Sequence, residues 1–293
     1  MATMRELKGR ISSVHSSQKM TGAMKMIASA RLRQVENKLA QARPYQQKLW
    51  DIYAHIRQSE CDYVSPLSEK REAERVALVA FASDEGLCGI FNVNIAKKVA
   101  ETVSRYKTEG IKDITVIPVG KKIFSDVRRI TGIRFQEAPA AFAEKDFVKG
   151  TRELADHLME AFLSKRYDRV EVVYTYYKSM GTQIPMVRPF LPLSLDRQDK
   201  VVTSSGLEPW YILEPDAESI MATLYPLLLH ALMYELCLST RTSEQAARIL
   251  AMQTANDNAS KLLDELQLEY NKLRQQSITS ELLDIAGGSN VEG

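Results

Sequence analysis

The stretch Ala217–Ile285, AESIMATLYPLLLHALMYELCLSTRTSEQAARILAMQTANDNASKLLDELQLEYNKLRQQSITSELLDI, holds a single proline, Pro226, and lies inside a glycine-free run from Leu207 to Ala286. Apolar or small residues return along it at alternating steps of three and four: Leu224, Leu228, Ala231, Glu235, Leu238, Thr242, Gln245, Ile249, Met252, Asn256, Ala259, Leu263, Leu266, Tyr270 and Leu273. Unbroken heptad spacing of this kind predicts one long helix whose seam demands a partner helix. At about 1.5 Å per residue the helix would extend on the order of 100 Å. A rod of that length must project out of whatever globular part the chain builds.

The partner is at the other end of the chain. Met4, Leu7, Ile11 and Val14, then Met24, Ala28, Leu32, Val35, Leu39, Ala42, Gln46, Leu49, Tyr53 and Ile56 form a second stripe, predicting a helix over Thr3–Arg57. Between them the stripe passes through Gln18 and Thr21 with two successive steps of three, which should overwind or loosen the coil; Pro44 should kink it. Residues 1–58 carry eleven Lys or Arg against Glu6, Glu36 and Asp51, while residues 217–286 carry nine Asp or Glu against five Lys or Arg. Opposite charge favours pairing the two helices with each other. Because a domain bridges them, they must meet antiparallel. The first spans roughly 80 Å and the second roughly 100 Å, so the C-terminal end should overhang by about 20 Å. An apolar seam left bare there, with Tyr270, Leu273 and Ile278, calls for insertion into a partner.

The middle of the chain alternates strand and helix. Short apolar runs at Val76–Ala82 and Ile114–Val119 read as buried strands, Arg169–Tyr176 as a β-branched and aromatic strand, and Pro185–Leu191 as a last strand limited by its prolines. Phe91–Tyr106, Lys121–Arg129 and Phe147–Leu163 read as helices. The expected architecture is therefore α/β: a long antiparallel coiled coil of the terminal helices, with an inserted Rossmann-like domain of mostly parallel sheet covered on both faces. The boundaries are 1–58 for the first helix, 75–205 for the α/β domain and 207–293 for the second helix, with a linker over Pro192–Pro215.

Composition excludes more than it assigns. With 45% hydrophobic and 26% charged residues and a formal charge of +2, no global field points to nucleic acid or membrane. Ile220–Leu238 is apolar enough to test as a membrane span, but Pro226, His230 and Glu235 interrupt it and a protein-covered helix is the expectation. MATMRELKGRI at residues 1–11 lacks the apolar core of a signal peptide, so a cytoplasmic location is expected. Cys61, Cys88 and Cys237 are odd in number and far apart, which suggests a reducing compartment and neither a disulfide framework nor zinc. There is no Walker-type phosphate loop; Gly86 and Gly89 in GLCGIF read as a tight strand-to-helix turn, and Gly120-Lys121-Lys122 as a solvated turn. His15, His55, His157 and His230 are dispersed, and the adjacent carboxylates Asp84 and Glu85 read as surface turn residues. No catalytic residue, metal ligand or cofactor site is expected. The polar residues that stand out lie on the rod: Arg248, Asn256, Asn258, Asn271, Arg274, Gln275, Gln276 and Thr279.

At these residues the chain resembles the gamma subunits of F-type ATP synthases. Ser243-Glu244-Gln245-Ala246-Ala247-Arg248, Ala251-Met252, Asp257-Asn258-Ala259, Leu266, Leu268, Tyr270-Asn271-Lys272, Arg274-Gln275, Ile278-Thr279 and Glu281-Leu282 are similar to the family's C-terminal signature. Ile11, Ser13, Lys19, Thr21, Ala23-Met24 and Met26 are similar to its first helix, and Ser83-Asp84, Gly86-Leu87-Cys88-Gly89 and Asn92 to its central-domain turn. The chain departs at Glu85, Ile90, Asn256 and Gln276, where the family usually has arginine, glycine, threonine and alanine. It lacks the cysteine-bearing insert of chloroplast members, so the resemblance is to bacterial ones. The resemblance implies a non-catalytic shaft standing in a ring of three alpha and three beta subunits, with the α/β domain and the foot of the coil bound to epsilon and the membrane c-ring. It implies ring contacts at Met24, Arg248, Arg274, Gln275 and Thr279. Two other readings of the residues alone are a nucleotide-dependent α/β enzyme with helical arms, which would need a phosphate loop, and a nucleic-acid-binding coiled-coil arm on an α/β domain, which should bind in a steeply salt-dependent way.

Overall fold

Met4 begins an α-helix because Thr3 and Glu6 close a reciprocal cap: the Thr3 N–H donates to Glu6 Oε2 at 2.9 Å and the Glu6 N–H to Thr3 Oγ1 at 3.3 Å. In a computed structural model, which describes residues 3–58, 63–193 and 213–288, that helix (α1) runs over Met4–Gln58 and passes unbroken through Pro44. The second rod is α5, Ala217–Gly288. Its start is capped by Asp216, whose carboxylate accepts from the Ser219 N–H and hydroxyl, both at 2.8 Å. Cys61 and most of the expected linker lie outside the described residues.

Between the rods come β1 (Arg75–Phe81), α2 (Phe91–Thr108), β2 (Asp113–Val119), α3 (Phe124–Val127), β3 (Arg134–Phe135), α4 (Phe147–Leu163), β4 (Arg169–Ser179) and β5 (Thr182–Leu191). The sheet order is β3-β2-β1-β4-β5, parallel except for the β4–β5 hairpin. Two expectations need correcting. The helix expected over Lys121–Arg129 is a single turn, and β5 is a full antiparallel edge strand. Its prolines fit there: Pro185 faces Thr175 and Pro189 faces Glu171, positions where a backbone nitrogen points out of the sheet and no ladder bond is lost. The two-residue β3 is too short for any periodicity to announce.

The chain divides into two compact units, Arg31–Ala247 and Met1–Ala30 with Arg248–Gly293. In the first, alternate residues of β1 feed two cores. Val76, Leu78 and Ala80 pack with Ile95, Val99, Val103 and Tyr106 of α2 and with Ile123 and Val127. Ala77, Val79 and Phe81 pack with Leu154, Leu158 and Phe162 of α4, Leu224, Leu228 and Leu232 of α5, and Leu49, Tyr53 and Ile56 of α1. Tyr53 and Tyr225 meet edge to face, with centroids 5.9 Å apart. The stretch of α5 that is long and apolar enough to cross a membrane is thus half buried against the sheet's own layers, as a core helix is.

In the second unit α1 and α5 pair antiparallel. Gln18 Nε2 donates to Ser260 Oγ at 2.7 Å, Asn256 Nδ2 donates to Gln18 O at 2.9 Å and to Thr21 Oγ1 at 3.3 Å, and Lys25 Nζ donates to Gln253 Oε1. One seam assignment changes. Met24 is 36% exposed, and the half-buried Lys25 carries the stripe from Thr21 to Ala28. Steps of four, three and four are thereby restored, and the irregular stretch is held by polar bonds where apolar packing is interrupted.

Candidate functional site: a bare helix end

The seam of α5 is buried at Ile249, Met252, Leu263 and Leu266 and half-buried at Tyr270 and Leu273. From Arg274 to Leu283 every residue is exposed, with Ile278 at 48%, Leu282 at 61% and Leu283 at 66%. Leu7, near the start of α1, is fully buried, so the coil is closed near its last available turn, and among the described residues none covers α5 from Arg274 to Leu283. Along this end the Thr279 hydroxyl donates back to the Gln275 carbonyl at 2.9 Å. That leaves its methyl and the Arg274 and Gln275 side chains facing outward. Met24 belongs to a second exposed apolar group on α1, with Met20 at 62% and Ile27 at 49%, spaced on one helix face. Arg248 is only 5% exposed. The five residues therefore divide into an open C-terminal set, an open methionine stripe and one buried guanidinium.

The turn after β1, which the sequence reading treats as a tight strand-to-helix connection, is held by its own side chains. Asn92 Oδ1 accepts from the Ser83 N–H at 3.2 Å, and Asn92 Nδ2 donates to Ser83 Oγ at 2.8 Å. Leu87 and Gly89 have positive φ, 64° and 59°. Asp84 accepts from the Lys121 N–H and from Arg241 Nη2, each at 3.3 Å, and Glu85 pairs with Arg31 at 3.2 Å. The two carboxylates are thus engaged in ties to α5 and α1. Sequence reasoning missed Arg241 and Arg31, since a lone arginine on a helix signals nothing until its acceptor is placed. Among the described residues no three His, Cys, Asp or Glu side chains converge on one point. Burial pushes the Cys237 thiol up to about 11, which leaves it an unreactive core group.

Comparison with known proteins gives one result throughout. A family profile described as ATP synthase matches residues 3–291. The ATP synthase gamma chain of Parabacteroides distasonis is 42% identical over 291 residues, covering 99% of each chain, and that of Bacteroides thetaiotaomicron is 41% identical over 297 residues with the same coverage. Among solved structures, the rotor of the Euglena gracilis mitochondrial ATP synthase shares the fold with a TM-score of 0.62 at 19% identity, covering 94% of this chain and 98% of that one. The central stalk and c-ring structure from Tetrahymena thermophila gives 0.53 at 19% identity, covering 80% and 99%.

Proposed function

This chain belongs to the ATP synthase gamma-chain family, and from that premise we propose how its surfaces serve a rotating shaft. It is a non-catalytic subunit, the central stalk of an F-type ATP synthase, and the complex it joins is membrane-associated. In our reading the coil stands inside a ring of three alpha and three beta subunits, epsilon and the c-ring bind the α/β domain and the foot of the coil, and the assembly sits on the cytoplasmic face of the membrane. Met24, Arg274, Gln275 and Thr279 touch the ring, and Arg248 belongs with them by its place on α5, with little of it open. A shaft whose faces differ stabilises a different state in each beta subunit, so turning it moves those states around the ring. That is a coupling free energy carried by a rigid element.

The supporting observation is the bare end of α5, exposed from Arg274 to Leu283 with Ile278, Leu282 and Leu283 open to water. An exposed apolar group on a helix end of this kind is the mark of a surface that another molecule covers. Reconstitution with alpha and beta subunits tests the reading. One copy per ring and ATPase activity that appears only on assembly are expected; ATPase activity of the chain alone overturns it. Combining Arg274→Glu with Gln275→Leu should weaken the ring's hold, seen as lost assembly or uncoupled hydrolysis, and an unchanged, fully coupled complex would count against these two contacts.

A further inference from the structure

Strand β4 outruns its parallel neighbour. β1 accompanies it only to Ala80, opposite Val173. From Thr175 onward, the β4 backbone groups on that side have no strand to bond, and buried backbone groups are not left unmet. Helix α5 meets them with hydroxyls. Thr240 Oγ1 accepts from the Thr175 N–H at 3.1 Å, Ser239 Oγ accepts from the Tyr177 N–H at 3.1 Å and donates to Thr175 O at 3.0 Å, and Ser243 Oγ donates to the same carbonyl at 3.2 Å. Ser239, Thr240 and Ser243 are 7%, 2% and 0% exposed. A helix thus takes the place of the missing strand. The same strand end also holds α1, since the Tyr177 hydroxyl donates to Glu36 Oε1 at 2.6 Å. Burial and the Glu36 carboxylate push Tyr177 up to about 12, so the phenol remains a donor across the physiological range. One residue along, Arg241 lies 3.2 Å over the Phe147 ring while reaching Asp84.

Apolar contacts alone are non-directional and let a helix roll on a sheet; hydrogen bonds to fixed backbone groups resist that motion. The geometry points to the Thr175–Tyr177 end of β4 as the joint that carries torque between the α/β domain and the two long helices, with Ser239, Thr240, Ser243 and Tyr177 as its positioning residues. This rests on the shaft reading above and adds where rotation crosses from sheet to helix.

The test uses the assembled ring complex containing this chain, fixed by the ring, with a bead on the domain through Lys112→Cys or on the helix through Lys48→Cys. With Ser239→Ala, Thr240→Val and Ser243→Ala together, the angular spread of the domain bead during pauses should widen, while that of the helix bead stays as in the parent. Thr240→Ser, which keeps the hydroxyl, should retain the parental spread. Equal spreads in parent and variant at the domain bead overturn the joint. A parent complex whose helix bead does not turn with ATP overturns the shaft reading instead. If the triple variant does not assemble, Thr240→Val alone and Tyr177→Phe decide by the same measurement.

Discussion

Gly120 follows β2 at a φ of 117°, and a Cβ there would lie 2.5 Å from Ala82 O and 2.8 Å from its carbonyl carbon. Backbone meets backbone, so neither can give way. Gly120→Ala is expected to cost about 2 kcal/mol or more, combining left-handed strain with the clash, read as a lower urea midpoint. Asp168 is a second such residue. Burial alone would raise its carboxyl, but bonds from the Arg75 side chain and backbone outweigh it and hold the group below the usual carboxylate range. The stability it adds is therefore present above the unfolded value near 3.9 and is lost as pH falls through the lower folded value. Asp168→Asn should cost about 1–2 kcal/mol at pH 7, the modest figure reflecting a half-open Arg75, and the difference from the parent should shrink toward pH 2. The strand stop at Gly120 was legible in the sequence; its φ was not. The hydroxyl cluster of Ser239, Thr240 and Ser243 was not legible as a site in the sequence, because serine and threonine on a helix read equally as a solvated face. Which side they lie on depends on where β1 ends.

Elements were read well where periodicity ran long. α1 and α5 agree with their heptads to within a few residues, and β1, β2 and α4 with their apolar runs. The failures are short or local. The helix expected over Lys121–Arg129 shrinks to the single turn of α3, and the Met24 position was assigned by step-counting across a stretch where the rule lapses. There Lys25 and Gln253 meet across the seam, and Asn256 bridges Gln18 and Thr21. Polar groups on a seam fix register at a cost in stability. Asn256→Leu leaves no orphan, because Thr21 already donates to Gln18 O. The variant is expected to gain about 1 kcal/mol of thermal stability. Its register should blur, seen as a broader distance distribution between spin labels placed by His15→Cys and Lys261→Cys. A narrow, parental distribution would show that apolar packing sets the register by itself.

At the scale of the whole molecule the bare end of α5 separates folding from assembly. Residues Arg274–Leu283 are exposed throughout, so deleting 274–293 should leave the thermal unfolding of the free chain almost unchanged while abolishing stable capture by the ring. A large drop in the free chain's midpoint would show that this end packs on the chain itself. The presence of an overhang was legible from helix lengths; which residues it begins with depended on how far the seam stays covered, which is to the half-buried Tyr270 and Leu273. The partnership of chain ends also has a consequence in time. Gln18 and Ser260, bonded to each other, are 242 residues apart in the chain. At a synthesis rate of roughly 5–20 residues per second, the first helix leaves the ribosome on the order of 10–50 s before its partner exists. For that interval Leu7, Ile11 and Val14 form an unmatched apolar stripe on the nascent chain, so exposure to aggregation falls on the newborn first helix before the shaft exists.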